Sequence, residues 1–164
     1  NEFDILNYTN FEHVSLFNDL ELVSRSSFVL SYASGFSNLP DVMNIPQVYV
    51  GSWHLLLPLF SKTTFFLPTL LNDENGKKMK FSKQVKIFHE CDHRELFKLY
   101  PNIRFEAPNA EDLLESVKLA INLKHSNEGK LLNKFKKSFP NTPLGVSNIS
   151  MAEDFLNKNI DRFG

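Results

Sequence analysis

Two short apolar runs, Ser27–Phe28–Val29–Leu30–Ser31–Tyr32 and Gln47–Val48–Tyr49–Val50, constrain this chain more than any other feature. Each has the length and residue types of a strand buried on both faces. The stretch between them opens with Ala33–Ser34–Gly35, which breaks the pattern. It continues as a short helical segment from Phe36 to Asn44 and is closed by Pro46. Ser15 to Ser24 precedes the first run as an amphipathic helix, with Leu16, Leu20 and Val23 on one face. Helix, strand, helix, strand with tight joints predicts parallel strands joined by right-handed crossovers. The fold class expected is therefore α/β, a Rossmann-like open parallel sheet with flanking helices.

Further on, Trp53 to Asn75 is apolar and interrupted by Pro58 and Pro68. It reads as a loop with one or two helical turns, ending in the turn Asp73–Glu74–Asn75–Gly76. Phe81 to His89 and Arg94 to Tyr100 are short helical candidates, and Ile103 to Glu106 resembles a last strand. The clearest helix opens after Pro108. Asn109 is a good N-cap, Glu111 and Asp112 sit in the positive first turn, and Leu113, Leu114, Val117 and Ile121 form the expected buried stripe. An amphipathic segment follows at Leu131 to Phe139, then a loop with Pro140, Pro143 and Gly145, and a last helix from about Ser150 to Ile160. The organisation expected is a single domain over residues 1–164, with a Rossmann-like core at 1–128 and a C-terminal helical extension at 129–164.

A chain of 164 residues holds one domain with a core, and a second would be cramped. Its net charge of -1 gives no long-range reason to expect DNA, RNA or an anionic membrane as partner. The only dense basic stretches, Lys77–Lys78–Met79–Lys80 and Lys134–Phe135–Lys136–Lys137, read as solvated faces. A lone Cys91 excludes a disulfide framework and fits a reducing compartment. The most apolar stretch, Leu55 to Leu71, is broken by Pro58, Lys62 and Pro68, so no transmembrane segment is expected. The chain opens Asn1–Glu2–Phe3–Asp4 without a starting Met or signal-peptide pattern, and a fragment is allowed for.

The segment Ser31 to Leu39 carries the functional reading. A strand ends there, a small-residue turn follows and a helix begins, which is where an open parallel sheet places its ligands. Free N–H groups at the helix start favour a phosphate. Gly35 lets the backbone approach closely, and Ser34, Ser37 and Asn38 can add hydrogen bonds. The same residues also suit a plain strand-to-helix joint. Trp53 and His54 follow Gly51–Ser52 at the end of the second run. An aromatic there can stack on a base or sugar, or pack beneath the apolar loop.

The run Ser34–Gly35–Phe36–Ser37–Asn38–Leu39, with Asn44–Ile45–Pro46–Gln47–Val48–Tyr49–Val50, resembles a signature of the C-terminal domains of GT-B glycosyltransferases. The heptosyltransferase-like and surface-polysaccharide branches are the most similar. Asn109 to Val117 looks like the opening of their late helix, and Ile149 to Asn159 resembles an Ile-Ser…Phe-Leu…Asn ending found in a bacterial subset. The resemblance spans roughly residues 15 to 160 and implies half of a GT-B architecture. It assigns the donor diphosphate to Ser34, Gly35, Phe36, Ser37 and Asn38, with Tyr32, Trp53 and His54 near the base or sugar. It also implies a nucleotide-sugar donor, a glycan or lipid-linked acceptor, the N-terminal half of the same enzyme as partner, and no cofactor or metal. Placement would be cytoplasmic or peripheral at the inner face of a membrane. The chain departs from the pattern at Asn38, where the heptosyltransferase-like branch has His, and at Ala33, where it has a hydroxyl or acid. It departs again at Pro68–Thr69, where the polysaccharide subset has Pro-Lys. A non-catalytic nucleotide- or sugar-binding module is the alternative these departures leave open.

A third reading comes from His89–Glu90–Cys91–Asp92–His93, a literal match to the H-E-x-x-H zinc-peptidase pattern. On a helix the two His would share a face around Zn²⁺ while Glu90 activates water. Asp92 and the absence of a following Gly and third His argue instead for a polar helix end.

Overall fold

The computed structural model describes residues 7–10, 14–32, 34–52, 63–91, 94–122, 130–137 and 149–163. Helix α1 (Leu16–Arg25) starts where the Ser15 side chain accepts from the Asn18 N–H at 3.2 Å. Strand β1 (Val29–Tyr32) follows, then a 3-10 turn (Gly35–Ser37), α2 (Asn38–Met43) and β2 (Gln47–Val50). Asn44 ends α2 at φ 55, a left-handed conformation that Asn tolerates better than most residues. Strand β3 (Thr64–Leu67) pairs with β2, giving three parallel strands in the order β1-β2-β3. The protein thus has the mixed α/β character and the parallel sheet that the crossover pattern predicts.

The tail returns to this sheet. Ser150 donates its N–H to the Thr64 carbonyl at 2.9 Å, and its own carbonyl accepts from Phe66 at 2.8 Å. The bridge is parallel, so Ser150 lies beyond β3 as a further position of the sheet. A second small sheet pairs β4 (Leu70–Asn72) with β5 (Arg104–Glu106) in antiparallel fashion. The remaining helices are α3 (Phe81–Glu90), α4 (Leu96–Leu99), α5 (Ala110–Ile121), α6 (Lys130–Lys137) and α7 (Glu153–Lys158).

Each face of the parallel sheet has its own packing. Tyr49 and Phe66 join Phe81 of α3, Phe135 of α6 and Phe155 of α7 in the main core. Val48 and Phe65 meet Ala120 of α5 on the other face. Phe81 packs edge-on to Phe135 and Phe163, with centroids 4.9 and 5.3 Å away. No helix among the described residues is long and apolar enough to cross a membrane.

Several expectations need correction. β1 is not buried on both faces: Leu30 and Tyr32 are exposed, and among the described residues the strand pairs only with β2. Leu16 is exposed too, leaving Val23 as the buried residue of α1. The Trp53–Asn75 stretch, expected as a loop, contains β3 and β4, with Pro68 in the break between them. On α5 the buried residues are Asp112, Ser116 and Ala120, while Leu114 and Ile121 face solvent. Small side chains at four-residue spacing let the helix lie close to the sheet, and the larger Leu113 and Val117 pack partly buried beside them. The last helix begins later than expected because Ser150 is taken up by sheet pairing, and a 3-10 turn (Ile160–Arg162) succeeds it.

Candidate functional site

A crevice of about 640 Å³ opens at the carboxyl ends of the parallel strands. Its sheet side is made by Tyr32 at the end of β1, Val50 and Gly51 at the end of β2, and Thr69 just after β3. Leu96 and Phe97 of α4, Phe105 of β5, and Ala107 and Pro108 after it complete the lining. The rings of Phe97 and Phe105 have centroids 5.7 Å apart and are tilted by 49° to each other. Tyr32, Phe97 and Phe105 are all exposed, at 62%, 58% and 40%. Three exposed aromatic rings around one opening make a surface on which a flat ligand can stack.

The backbone beneath the crevice is tied together. Gly51 donates to the Leu67 carbonyl at 3.0 Å, Thr69 donates its N–H to Ser52 at 3.1 Å, and the Thr69 hydroxyl donates to the Gly51 carbonyl at 2.9 Å. Gly51 has φ +78, a conformation that L side chains rarely adopt. A Cβ on Gly51 would also come within 2.3 Å of the Tyr32 ring, so glycine here is what lets Tyr32 lie across the strand ends. Burial pushes the Tyr49 hydroxyl above its ordinary range, while hydrogen bonding to Ser37 and Ser52 opposes the shift.

The Ser34–Asn38 turn leaves the same strand end as Tyr32 but does not line the crevice. Ser34 is extended, and the first N–H groups of the 3-10 turn have no acceptor within it. Nothing lies within 4 Å of where a Gly35 side chain would start, so the turn borders open space. Ser34, Gly35, Phe36 and Asn38 are exposed. Ser37 differs: it is buried and its hydroxyl donates to the Ser34 carbonyl at 2.6 Å, which shapes the turn. Ala33, Trp53 and His54 lie outside the described residues.

The zinc geometry does not form as the motif requires. Helix α3 stops at Glu90, and Cys91 is extended at φ -146, ψ 146, so no continuous helix carries residues 89 to 93 on one face. His89 is exposed, His93 lies outside the described residues, and Glu90 accepts from the Tyr100 hydroxyl at 3.2 Å. Among the described residues no group of three or more His, Cys, Asp and Glu could hold a metal ion.

Tyr32 and the turn are expected from the sequence and Thr69 is marked there as a departure from the family pattern, whereas Phe97 and Phe105 are not expected. Phe105 stands between Arg104 and Glu106 in a short polar strand, and Phe97 lies among Leu96 and Leu99 in a single helical turn, so neither carries a local signal of a site. Compared with family models, curated proteins and solved structures, the chain matches none.

Proposed function

We propose that this chain is the donor-binding half of a two-domain glycosyltransferase of the GT-B type, acting in polysaccharide synthesis. The observation that supports this reading is the aromatic crevice at the carboxyl edge of the parallel sheet, beside an open Ser-Gly turn. The nucleoside of a nucleotide sugar would stack among Tyr32, Phe97 and Phe105. The diphosphate would then meet the N–H groups of Gly35 and Phe36, since those of Ser37 and Asn38 already donate to the Ser34 and Phe36 carbonyls, with the hydroxyl of Ser34 at the rim. Neutral oriented donors of this kind stabilise the charge that develops on a departing diphosphate. The sugar would pass from that diphosphate to an acceptor hydroxyl by displacement at the anomeric carbon. The acceptor and the catalytic base would come from a second, N-terminal half.

A calorimetric titration with UDP, GDP and CMP tests this reading. One of them should bind, and Phe97→Ala should weaken it by about tenfold, the scale of one lost base–aromatic stack. Phe97 is exposed, so the fold should survive the change. Failure of all three nucleotides to bind, or a Phe97→Ala variant that binds as before, would count against it. Transfer after the N-terminal half is supplied would separate a transferase from a module that only binds.

A further inference from the structure

The two basic runs of the sequence, far apart in the chain, both reach Phe163. Lys80, just before α3, donates to the carbonyls of Asp161 and Phe163, each at 2.9 Å. Lys78 donates to the Lys158 carbonyl at 3.2 Å and stands 3.4 Å from the Asp161 carboxylate. The Lys134 ammonium of α6 lies over the Phe163 ring, 5.3 Å from its centroid. Lys130, Lys134 and Lys137 recur at helical spacing and are exposed, while Leu132 and Phe135 of the same helix are buried in the core. Helix α6 contains no acidic residue. Ile160 is 52% exposed between the two residues that Lys78 contacts.

Among the described residues, one group of carboxylates lies apart from these lysines. Glu111, Asp112, Glu115 and Asp154 line a separate groove between α5 and α7. At physiological salt, charges more than roughly 8–10 Å apart are largely screened, so a face can be strongly basic although the whole chain carries -1. We infer that this face docks on an anionic lipid surface. Lys78, Lys80, Lys130, Lys134 and Lys137 meet the headgroups, Asp161 is the carboxylate held among them, and Ile160 enters the interface. An ammonium has three donors, so Lys80 keeps one for a phosphate even while holding two carbonyls. The inference is independent of the donor-site reading.

Co-sedimentation of the whole chain with vesicles tests it. The chain should pellet with phosphatidylcholine vesicles containing about 30% phosphatidylglycerol, and not with phosphatidylcholine alone. About 0.5 M NaCl should release it. The double variant Lys130→Gln/Lys137→Gln should bind at least about tenfold more weakly, and Lys137→Gln alone about fivefold, with unchanged circular dichroism. Lys118→Gln, on α5, should bind like the parent chain. Equal binding to both vesicle types, binding to neither, or full binding by the Gln variants would overturn the inference. So would capture by RNA without binding to the anionic vesicles.

Discussion

Arg162→Leu is expected to cost about 3–5 kcal/mol of folding stability, the range for breaking a buried charged network by removing one partner. The Arg162 side chain is fully buried, and its guanidinium donates in several directions. One terminal nitrogen meets the carbonyls of Leu71 at 2.7 Å and Met79 at 3.1 Å. The other meets Asn72 at 2.9 Å and the Glu106 carboxylate at 2.6 Å, while Nε reaches Asn159 at 3.2 Å. Burial lowers the guanidinium below its ordinary value and the nearby Glu106 opposes that, leaving it charged at any working pH. Leucine would leave several acceptors without a donor. Arg162→Lys should recover only part of the loss, because a single ammonium cannot span acceptors on β4, β5 and the segment before α3. Urea denaturation of the two variants measures both effects. A loss below about 1 kcal/mol for Arg162→Leu would mean that the tail is not held by this residue.

Phe135→Ala is expected to cost a similar amount, about 3–5 kcal/mol, for a different reason. Phe135 has no exposed surface and packs between Phe81 and Phe163, at 4.9 and 6.3 Å between centroids. Those rings come from α6, α3 and the end of the chain, elements that each bring a stiff backbone to the contact. The space left by the ring therefore cannot close fully, and a cavity term adds to the lost transfer energy. Phe135→Leu, which keeps much of the volume, should cost less than Phe135→Ala. Equal losses for the two would show that the site collapses around either side chain. The same denaturation series decides this.

How far the sequence could be read depends on whether an element is defined locally. Gln47–Val50 reads as a buried strand and is one, because it lies between β1 and β3. Val29–Tyr32 carries the same local signal yet pairs only with β2 among the described residues, since nothing in a run of residues states how many neighbours a strand will have. Thr64–Leu67 and Leu70–Asn72 are so short that Pro68 and their lack of alternation mask them, and pairing with distant segments makes them strands. Asn109 was legible because a cap is local: its side chain accepts from the Asp112 N–H at 2.9 Å, and Asp112 reaches back to it. Which side of α5 is buried was not, because Ser116 and Ala120 are chosen for closeness to the sheet and not for hydrophobicity. The crevice divides in the same way. Tyr32 and the Ser-Gly turn adjoin a strand end and can be found from it. Phe97 and Phe105 reach the site only through the second sheet and α4, which the sequence order does not place.

The most direct measurement is an amide NMR titration of the chain with UDP, GDP and CMP, in EDTA and then with zinc. The expected result is a saturable set of shifts with one nucleotide, centred on Tyr32, Ser34 to Asn38, Gly51, Thr69, Phe97 and Phe105, and unchanged by zinc. Silence across those residues with every nucleotide would contradict the donor-binding reading, and zinc-dependent shifts at His89 and His93 would contradict it in favour of a metal site.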